Sequence, residues 1–343
     1  MQSILKNICT LLMLILFSSH SNAASQSEIS ALLDLYNSTD GTHWYQNSHW
    51  DNGKDPCKSD ETWYGIVCDI NNNITDINLY DNNLTGTIPP SIKNLIHLRV
   101  LDMQSNRLFG NIPPEINSLF SLEEMGLSNN LFTGTIPPGI GGLSNLTHLH
   151  LSYNRLHGTI PIDLGNLKNL QQLDLGHNQL EGNIPSEIGD LGNLTVLYLS
   201  TNQLSGHIPP EIGNLQHITV INLYGNQLSG PIPSVLWNLN KITDLVLAHN
   251  ILTGEISSAI SQLIDLSYLD LSYNQFSGEI PDSIRDLLCL DELYLSHNCS
   301  LSSDNTDVHD FIDNRTGDTY QDIVTTNTHS CFGFISPVLY LLQ

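Results

Sequence analysis

The sequence predicts an α/β solenoid, a right-handed superhelix of ten 24-residue repeats with a cap at each end. Asparagine recurs every 24 residues without an insertion or deletion, at positions 82, 106, 130, 154, 178, 202, 226, 250, 274 and 298. Glycine follows in phase from 86 to 278, and proline from 89 to 281 with Ser257 as the single interruption. A fixed period of this length is typical of proteins in which stacked repeats share one core. We number the rungs 1 to 10 by these asparagines.

Each rung is predicted to begin with a short strand and to return without a long helix. In rung 4, Leu149 and Leu151 alternate with His148, His150 and Ser152. A period of two over a short stretch indicates a strand with one buried face. The asparagine that ends the strand is expected to bond backbone groups that water does not reach. The glycine permits a positive φ, and the proline removes a donor and prevents a long helix.

Residues 1–23 are predicted to be a secretory signal peptide. Lys6 supplies a positive charge, residues 8–17 are apolar, and small residues precede the cleavage expected after Ala23. An uncleaved membrane anchor is the alternative, but it needs about 18 or more apolar residues. No later segment is long enough to cross a bilayer. We therefore expect a secreted, extracellular protein, at the cell surface or in the periplasm if bacterial, and no complete transmembrane receptor.

Residues 24–73 and 299–343 are predicted to cap the repeats, which occupy residues 74–298. Ser25 and Glu28 have the spacing of a capping box at the start of a helix that runs to Tyr36. In the second cap, aspartate recurs every three residues from 304 to 313 without the glycine turn of a calcium loop. This spacing favours a helix over a calcium site, with a buried face formed by Val308, Phe311 and Ile312.

The segments LTHLHLSYNRLHGTIPIDLGNL and LTVLYLSTNQLSGHIPPEIGNL fit the pattern LxxLxLxxNxLxGxIPxxIGxL. This repeat unit resembles the plant-type leucine-rich repeat of receptor-kinase ectodomains and polygalacturonase-inhibitor-like proteins. The tryptophans and cysteines of residues 44–68 are similar to the amino-terminal cap of the same family, and this resemblance implies a Cys57–Cys68 disulfide. It also implies a binding protein that recognises a peptide or protein ligand or inhibits a secreted enzyme.

The charge of the chain excludes some partners. Asp and Glu number 35 against 11 Lys and Arg, for a formal net charge of −24. Nucleic acid and anionic membrane surfaces both select for clustered basic residues, which no window here supplies. No serine or cysteine nucleophile lies in a motif with a base, so we expect no enzymatic activity and no cofactor or metal. A surface metal site at His148 and His150, with Gln172 and Asp174 on the next strand, is the alternative to solvated histidines.

The outward-facing strand positions form the predicted binding surface, the concave face of the solenoid. Tyrosines are frequent among them, and Arg99 is their one basic residue. We expect a basic or polar protein or peptide partner, and the alternative is a solvated surface without a partner. The candidate partner-binding residues are Tyr80, Asp102, Glu124, His148, His150, Tyr153, Asp174, Tyr198, Asn222, Tyr224, Asp244, Tyr268, Asp270 and Tyr294.

The cysteines of the second cap and the sequons give two further expectations. Cys289 and Cys299 flank the last strand and lie roughly 20 Å apart along it, too far for a disulfide. Cys331 is therefore expected to pair with one of them, with Cys299 slightly favoured over Cys289. Candidate N-glycosylation sites, which depend on a eukaryotic source, are Asn37, Asn73, Asn83, Asn145, Asn193, Asn298 and Asn314.

A regular array of small polar residues favours a second function class. The residue after the recurrent glycine is threonine or asparagine in five successive rungs and changes character at 207, 231, 255 and 279. Such an array, at about 4.8 Å spacing, matches an ordered surface such as ice or a cell wall. Its members are Thr87, Asn111, Thr135, Thr159 and Asn183.

Overall fold

A computed structural model describes residues 23–50, 53–58 and 62–326. The first element is helix α1, Gln26–Ser38. Its predicted capping box is confirmed: the Ser25 hydroxyl accepts from the Glu28 amide at 3.2 Å, and the Glu28 carboxylate accepts from the Ser25 amide at 3.0 Å. The second Glu28 oxygen accepts from the Ile74 amide at 3.3 Å. The buried Glu28 side chain therefore joins the cap helix to the first strand of the repeats.

Aromatic rings fill the space under α1. Trp44, Trp50 and Trp63 are almost completely buried. The ring centroids of Trp50 lie 4.9 Å from those of Trp44 and 5.1 Å from those of Trp63. The disulfide between Cys57 and Cys68, which the resemblance implied, is confirmed. Rings of this size bury much apolar area, which covers the exposed end of the first rung.

One long sheet runs the length of the described chain. Its strand order is β1-β2-β4-β6-β8-β10-β12-β14-β16-β18-β20-β22. Strand β1 pairs antiparallel with β2, and the other pairs are parallel, so that residues 24 apart stand side by side. The strands are β1 Ile66–Cys68, β2 Ile74–Asn78, β4 Val100–Asp102, β6 Glu124–Gly126, β8 His148–His150, β10 Gln172–Asp174, β12 Val196–Tyr198, β14 Val220–Asn222, β16 Asp244–Val246, β18 Tyr268–Asp270, β20 Glu292–Tyr294 and β22 Thr316–Gly317.

Shorter strands form a second parallel layer, in the orders β3-β5-β7 and β21-β19-β17-β15-β13-β11-β9. Five-residue 3-10 helices follow them, for example Pro210–Asn214 after Pro209. The predicted return without a long helix is therefore confirmed. The strands are β3 Thr85–Gly86, β5 Arg107–Asn111, β7 Leu131–Thr133, β9 His157–Gly158, β11 Gln179–Asn183, β13 Gln203–Gly206, β15 Gln227–Gly230, β17 Ile251–Gly254, β19 Gln275–Glu279 and β21 Ser300–Ser302.

Leucines from both layers meet in one core. Leu149, Leu151 and Leu156 of rung 4 are fully buried, and the equivalent residues of the other rungs continue the core to both caps. The glycine after each asparagine adopts the expected positive φ, which is 77° at Gly158. Gly158 is the last residue of β9, and glycine adopts this left-handed conformation without strain.

The recurrent asparagines bond the rungs to one another. Asn154 donates through Nδ2 to the Leu127 carbonyl of the preceding rung at 3.0 Å and to the Leu151 and Ser152 carbonyls of its own rung at 3.1 Å. Its Oδ1 accepts from the Phe132 amide of the preceding rung at 3.0 Å. One side chain therefore satisfies four backbone groups at the turn, as the sequence predicts.

The closing cap is helical, as predicted. Helix α2, Thr306–Asp313, buries Val308 and Ile312, with Phe311 half-buried against the core. Helix α3, Tyr320–Thr326, follows it. The Asp318 carboxylate accepts from the Leu295 and Ser296 amides at 2.8 and 2.6 Å, so it takes the place that a carbonyl of a further strand would occupy.

Two expectations concern residues outside the described ranges. Residues 1–22 of the predicted signal peptide lie outside the described residues, and so does Cys331. The signal peptide and the disulfide to Cys331 therefore stay predictions. Cys289 is an exposed thiol and Cys299 is half-buried. Among the described residues, no helix combines the length and the hydrophobicity needed to cross a membrane.

We expect Asn202→Ala to lower the free energy of unfolding by about 3 kcal/mol, because it leaves several buried backbone groups unpaired. Asn202 is 5% exposed, and it donates to the Leu175, Leu199 and Ser200 carbonyls and accepts from the Leu180 amide. Urea unfolding followed by circular dichroism measures the change. Asn214→Ala, at an exposed asparagine of the same region, is the control and should cost less than about 0.5 kcal/mol. Equal midpoints for the two variants would contradict the role of the buried amide.

Candidate functional site

Columns of side chains cover the outer side of the long sheet, which we call the concave face. Because residues 24 apart pair in register, each outward position forms a column that runs along the solenoid. The first column holds Asp76, Val100, Glu124, His148, Gln172, Val196, Val220, Asp244, Tyr268 and Glu292. The second holds Asn78, Asp102, Gly126, His150, Asp174, Tyr198, Asn222, Val246, Asp270 and Tyr294. The predicted residues of these two columns therefore share one surface.

At the amino-terminal end of the concave face, the protein neutralises part of its own negative charge. Arg99 donates to both carboxylate oxygens of Glu123, through Nε at 2.9 Å and through Nη2 at 2.7 Å. This bond lowers the pKa of Glu123 from its ordinary value and raises that of Arg99. Both side chains are largely exposed, so the pair contributes little to stability. The charges of Asp76 and Glu124 also act on Arg99. Asp102 lies in the second column beside Asn78, and the exposed Tyr80 follows two residues after Asn78.

The histidines at the centre of the face do not assemble a metal site. The rings of His148 and His150 lie 6.0 Å apart, and His150 Nε2 lies 3.3 Å from Gln172 Oε1. Asp174 bonds the backbone instead, accepting from the Gly176 amide at 3.0 Å. In the described part of the chain, no group of three or more His, Cys, Asp or Glu side chains is arranged to hold a metal ion.

Four tyrosines and two aspartates dominate rungs 6 to 10. Burial and the charges of Asp244 and Asp174 raise the pKa of Tyr198, while burial and the charge of Asp270 raise that of Tyr224. Burial, then Asp270 and other neighbours, raise the pKa of Tyr268 to about 12. The Tyr268 and Tyr294 ring centroids lie 5.7 Å apart. These phenols therefore stay neutral and keep their hydroxyl protons at physiological pH.

The Asp270 carboxyl on the concave face has a pKa above its ordinary value. Its Oδ1 accepts from the Ser272 amide at 3.0 Å and from the Ser272 hydroxyl at 2.6 Å. Burial raises its pKa, the Ser272 bonds oppose that rise, and the charge of Asp318 adds to it. The net direction is upward. Ionised Asp270 is therefore less stable in the folded protein than in water.

Three of the predicted tyrosines do not lie on strands, which corrects the positions expected from the sequence. Tyr80 and Tyr224 come two residues after the ends of β2 and β14. Tyr153 lies in a turn. It follows β8 with a φ of 53°, in a turn whose equivalent residues in most other rungs are also left-handed. Its exposed ring stacks on His177 with centroids 4.0 Å apart. His249, Tyr273 and His297 form a similar stack at 4.1 and 4.0 Å. The recurrence of His and Tyr immediately before the asparagine is the sequence signal for this row, which borders the concave face.

The structure separates the candidate glycosylation sites. Asn37, Asn145, Asn193 and Asn314 are exposed, while Asn73 and Asn83 are half-buried. Asn298 is wrong as a candidate, because its side chain is fully buried and its Nδ2 donates to the Leu271 and Leu295 carbonyls at 3.1 and 2.8 Å. A glycan on this nitrogen would disrupt its donation to Leu271, one of the bonds that join rung 10 to rung 9.

Comparison with known proteins defines the class. The family model of the leucine-rich repeat N-terminal domain matches residues 25–69, that of a leucine-rich repeat region matches residues 77–206, and single leucine-rich repeats match residues 217–239 and 265–287. The chain belongs to the leucine-rich repeat family, in the extracellular form found in plant receptor kinases. A comparison with curated proteins finds no match.

Solved structures of plant proteins share the fold. The ectodomain of GASSHO1/SCHENGEN3 from Arabidopsis thaliana, in complex with CASPARIAN STRIP INTEGRITY FACTOR 2, is 38% identical over 81% of this chain, with a TM-score of 0.72. The Arabidopsis receptor kinase HAESA, in complex with the peptide hormone IDA and the co-receptor SERK1, is 32% identical over 81%, with a TM-score of 0.73. The chain spans only 33% and 46% of those two proteins.

A third structure matches along most of its own length. A plant ice-binding protein is 30% identical over 87% of this chain and 95% of its own, with a TM-score of 0.72. The fold therefore occurs both in receptors crystallised with peptide ligands and in an ice-binding protein. The side chains on its surfaces must decide between such functions.

We expect Asp270→Asn to raise the melting temperature near neutral pH. A carboxyl whose folded pKa is raised destabilises the fold once ionised, so its cost appears as the pH rises through the folded pKa. Asparagine keeps an Oδ1 acceptor for Ser272 and carries no charge. Thermal unfolding at a series of pH values should show the advantage shrink as the pH falls below the folded pKa. A variant less stable than the wild type at neutral pH would contradict the upward shift.

Proposed function

We propose that this protein is a secreted, non-enzymatic binding protein whose concave face holds a protein or peptide partner. Recognition of a ligand and inhibition of a secreted enzyme are the two roles that this proposal covers. The observation that carries it is the surface of rungs 6 to 10, where Tyr198, Tyr224, Tyr268 and Tyr294 accompany Asp244 and Asp270. Tyrosine offers contact area and a hydroxyl at low entropy cost. The peptide complexes of the receptor structures support this use of the fold.

The charge of the concave face favours a basic partner. Among its strand positions from rung 4 to rung 10, no lysine or arginine is present in the described sequence. Arg99, at the far end, is bonded to Glu123. Complementary charge speeds the encounter of two proteins and suppresses wrong partners. The carboxylates of rungs 8 to 10 therefore select for cationic groups on the partner.

Capture from the native secreted fluid tests the proposal. We expect cross-linking with the wild-type protein to retain a partner that is lost when Tyr153, Tyr198 and Tyr224 are changed together to alanine. Two of these rings lie on the concave face and one on its border, and truncation of buried contact tyrosines costs about 2 kcal/mol or more each. Mass spectrometry of the cross-linked species measures the loss.

The matched control removes three exposed apolar side chains away from the concave face, Phe120, Ile264 and Leu288, which are 63%, 58% and 85% exposed. This variant should retain the partner. Equal capture by the wild type and the tyrosine variant would place the binding surface elsewhere. Loss in the control variant alone would have the same meaning.

A second function, binding to ice, is favoured by the polar array of the second layer. Thr87, Asn111, Thr135, Thr159 and Asn183 are exposed, and each side chain packs over the glycine that follows it in the next rung. The array is therefore regular over five rungs, with a spacing of about 4.8 Å. The likeness to a plant ice-binding protein supports this alternative.

Ice recrystallisation assays distinguish this function from the first. If the array binds ice, the wild type should inhibit recrystallisation, and Thr135→Lys with Thr159→Lys should abolish inhibition because two long charged side chains break the flat array. Gln171→Lys, at an exposed glutamine directly before β10 of the long sheet, is the control and should leave inhibition unchanged. A wild-type protein without inhibition would eliminate this alternative.

A further inference from the structure

Ala24 lies at the start of the amino-terminal cap and is packed against it. It directly precedes Ser25, the capping residue of α1, and is only 6% exposed. Its backbone nitrogen donates to Asp55 Oδ1 at 3.3 Å, although the two residues are 31 positions apart. The signal-peptide cleavage expected from the sequence falls immediately before this residue, after Ala23. The nitrogen that cleavage would turn into the amino terminus therefore already lies beside a carboxylate.

The segment that carries the cap disulfide holds Asp55 in place. Asp55 Oδ1 also accepts from the Cys57 amide at 3.0 Å. Cys57 is bonded to Cys68 at the end of β1, and Pro56 between Asp55 and Cys57 is buried. The carboxylate is therefore oriented by the fold, and an ion pair with it would lose less side-chain entropy than a pair between two mobile side chains.

The second oxygen of this carboxylate has no donor. Asp55 Oδ2 is buried and makes no hydrogen bond within the described part of the chain. A buried acceptor without a partner lowers the stability of a fold, and a charged one lowers it more. The Ala24 amide has a single hydrogen, which it gives to Oδ1. The uncleaved chain therefore leaves one oxygen of Asp55 unsatisfied.

Hydrolysis of the Ala23–Ala24 peptide bond changes the donor at this position. A secretory peptidase adds one water molecule across the bond. The water oxygen becomes part of the Ala23 carboxylate, and both water hydrogens go to the Ala24 nitrogen, which becomes an ammonium group. At neutral pH this group carries a positive charge and three hydrogens. It can donate to both oxygens of Asp55, and its charge complements that of the carboxylate.

Glu28 is the other carboxylate near the new terminus, but both of its oxygens are already bonded. Its Oε2 accepts from the Ser25 amide at 3.0 Å and from the Ser25 hydroxyl at 2.7 Å, and its Oε1 accepts from the Ile74 amide at 3.3 Å. The first turn of α1 also presents the positive end of the helix dipole, which disfavours an ammonium group there. A buried ammonium group at Ala24 therefore depends on Asp55 for its compensation.

We propose that removal of the signal peptide creates an α-ammonium group at Ala24 that forms an ion pair with Asp55 and holds α1 against the disulfide segment of the cap. The cap is therefore more stable in the mature protein than in the precursor. This inference goes beyond the proposed function, because it concerns the maturation of the secreted chain and not what the concave face binds.

Four proteins test the ion pair. The mature chain begins at Ala24, and the matched chain retains Asn22 and Ala23 in front of it, so both have one α-ammonium group and differ in its position. Each chain is made with Asp55 and with Asp55→Asn, which keeps an Oδ1 acceptor for Cys57. Urea unfolding followed by tryptophan fluorescence measures the stability, because three of the four tryptophans lie in the amino-terminal cap.

With Asp55 present, we expect the folding equilibrium constant of the mature chain to be about tenfold larger than that of the extended chain. This is the effect of raising the pKa of the α-amino group by about one on folding. With Asp55→Asn, the two chains should agree within about twofold. Equal stability of the two Asp55 chains would overturn the proposal. A tenfold difference that persists with Asp55→Asn would also overturn it, because the extension itself would then be the cause.

Asp34→Asn is the matched control. Asp34 is exposed on α1, and its replacement removes one negative charge from the same cap while Asp55 is kept. The tenfold difference between the mature and extended chains should remain in this variant, and its loss would show a general charge effect and overturn the ion pair. Mass spectrometry of the natively secreted protein should find the amino terminus at Ala24. A terminus at any other residue would refute the proposal.

Discussion

The asparagine at the end of each long-sheet strand is the constraint on which the structure depends. In rungs 2 to 10 its Oδ1 accepts from an amide 22 residues earlier and its Nδ2 donates to a carbonyl 27 residues earlier, so each side-chain amide spans two rungs, as for Asn226 with Leu204 and Leu199. In rung 1, Asn82 bonds the Gln46 backbone of the amino-terminal cap instead. An insertion between successive asparagines would leave several buried backbone groups unpaired. This explains why the 24-residue interval is kept without exception while the polar positions vary freely.

This division of roles determines where function is located. The leucines and asparagines hold the fold and are buried. The outward positions contribute little to the core, but the register places them in straight columns. Residues that are distant in sequence, such as Tyr198 and Asp270, therefore share one surface without a loop to position them. The scaffold supplies rigidity, and the side chains in the columns determine the chemistry of the surface.

The sequence predicts the fold almost completely and the site in part. The 24-residue period, the capping box and the closing helix are visible in sequence patterns. The period also predicts the column in which each outward residue lies. Three features do not. The sequon at Asn298 looks the same as one at the surface, because the motif carries no information about burial. Tyr153 occupies a turn that the alternation of the strand does not reveal. The bond between Arg99 and Glu123 depends on rotamers that neighbouring strands select together.

The two ends of the concave face differ in how their charge is balanced, and this difference bears on binding. At rungs 2 and 3 the protein supplies its own cation, so a ligand there would have to compete with Arg99 for Glu123. At rungs 8 and 9, burial opposes the ionisation of Asp270, and the Tyr268 phenol beside it stays neutral. An ionised carboxylate in such surroundings detracts from folding stability. If the proposed partner places a cation there, that cation reverses the cost on binding, because it pairs with a charge that the free protein has already placed and oriented.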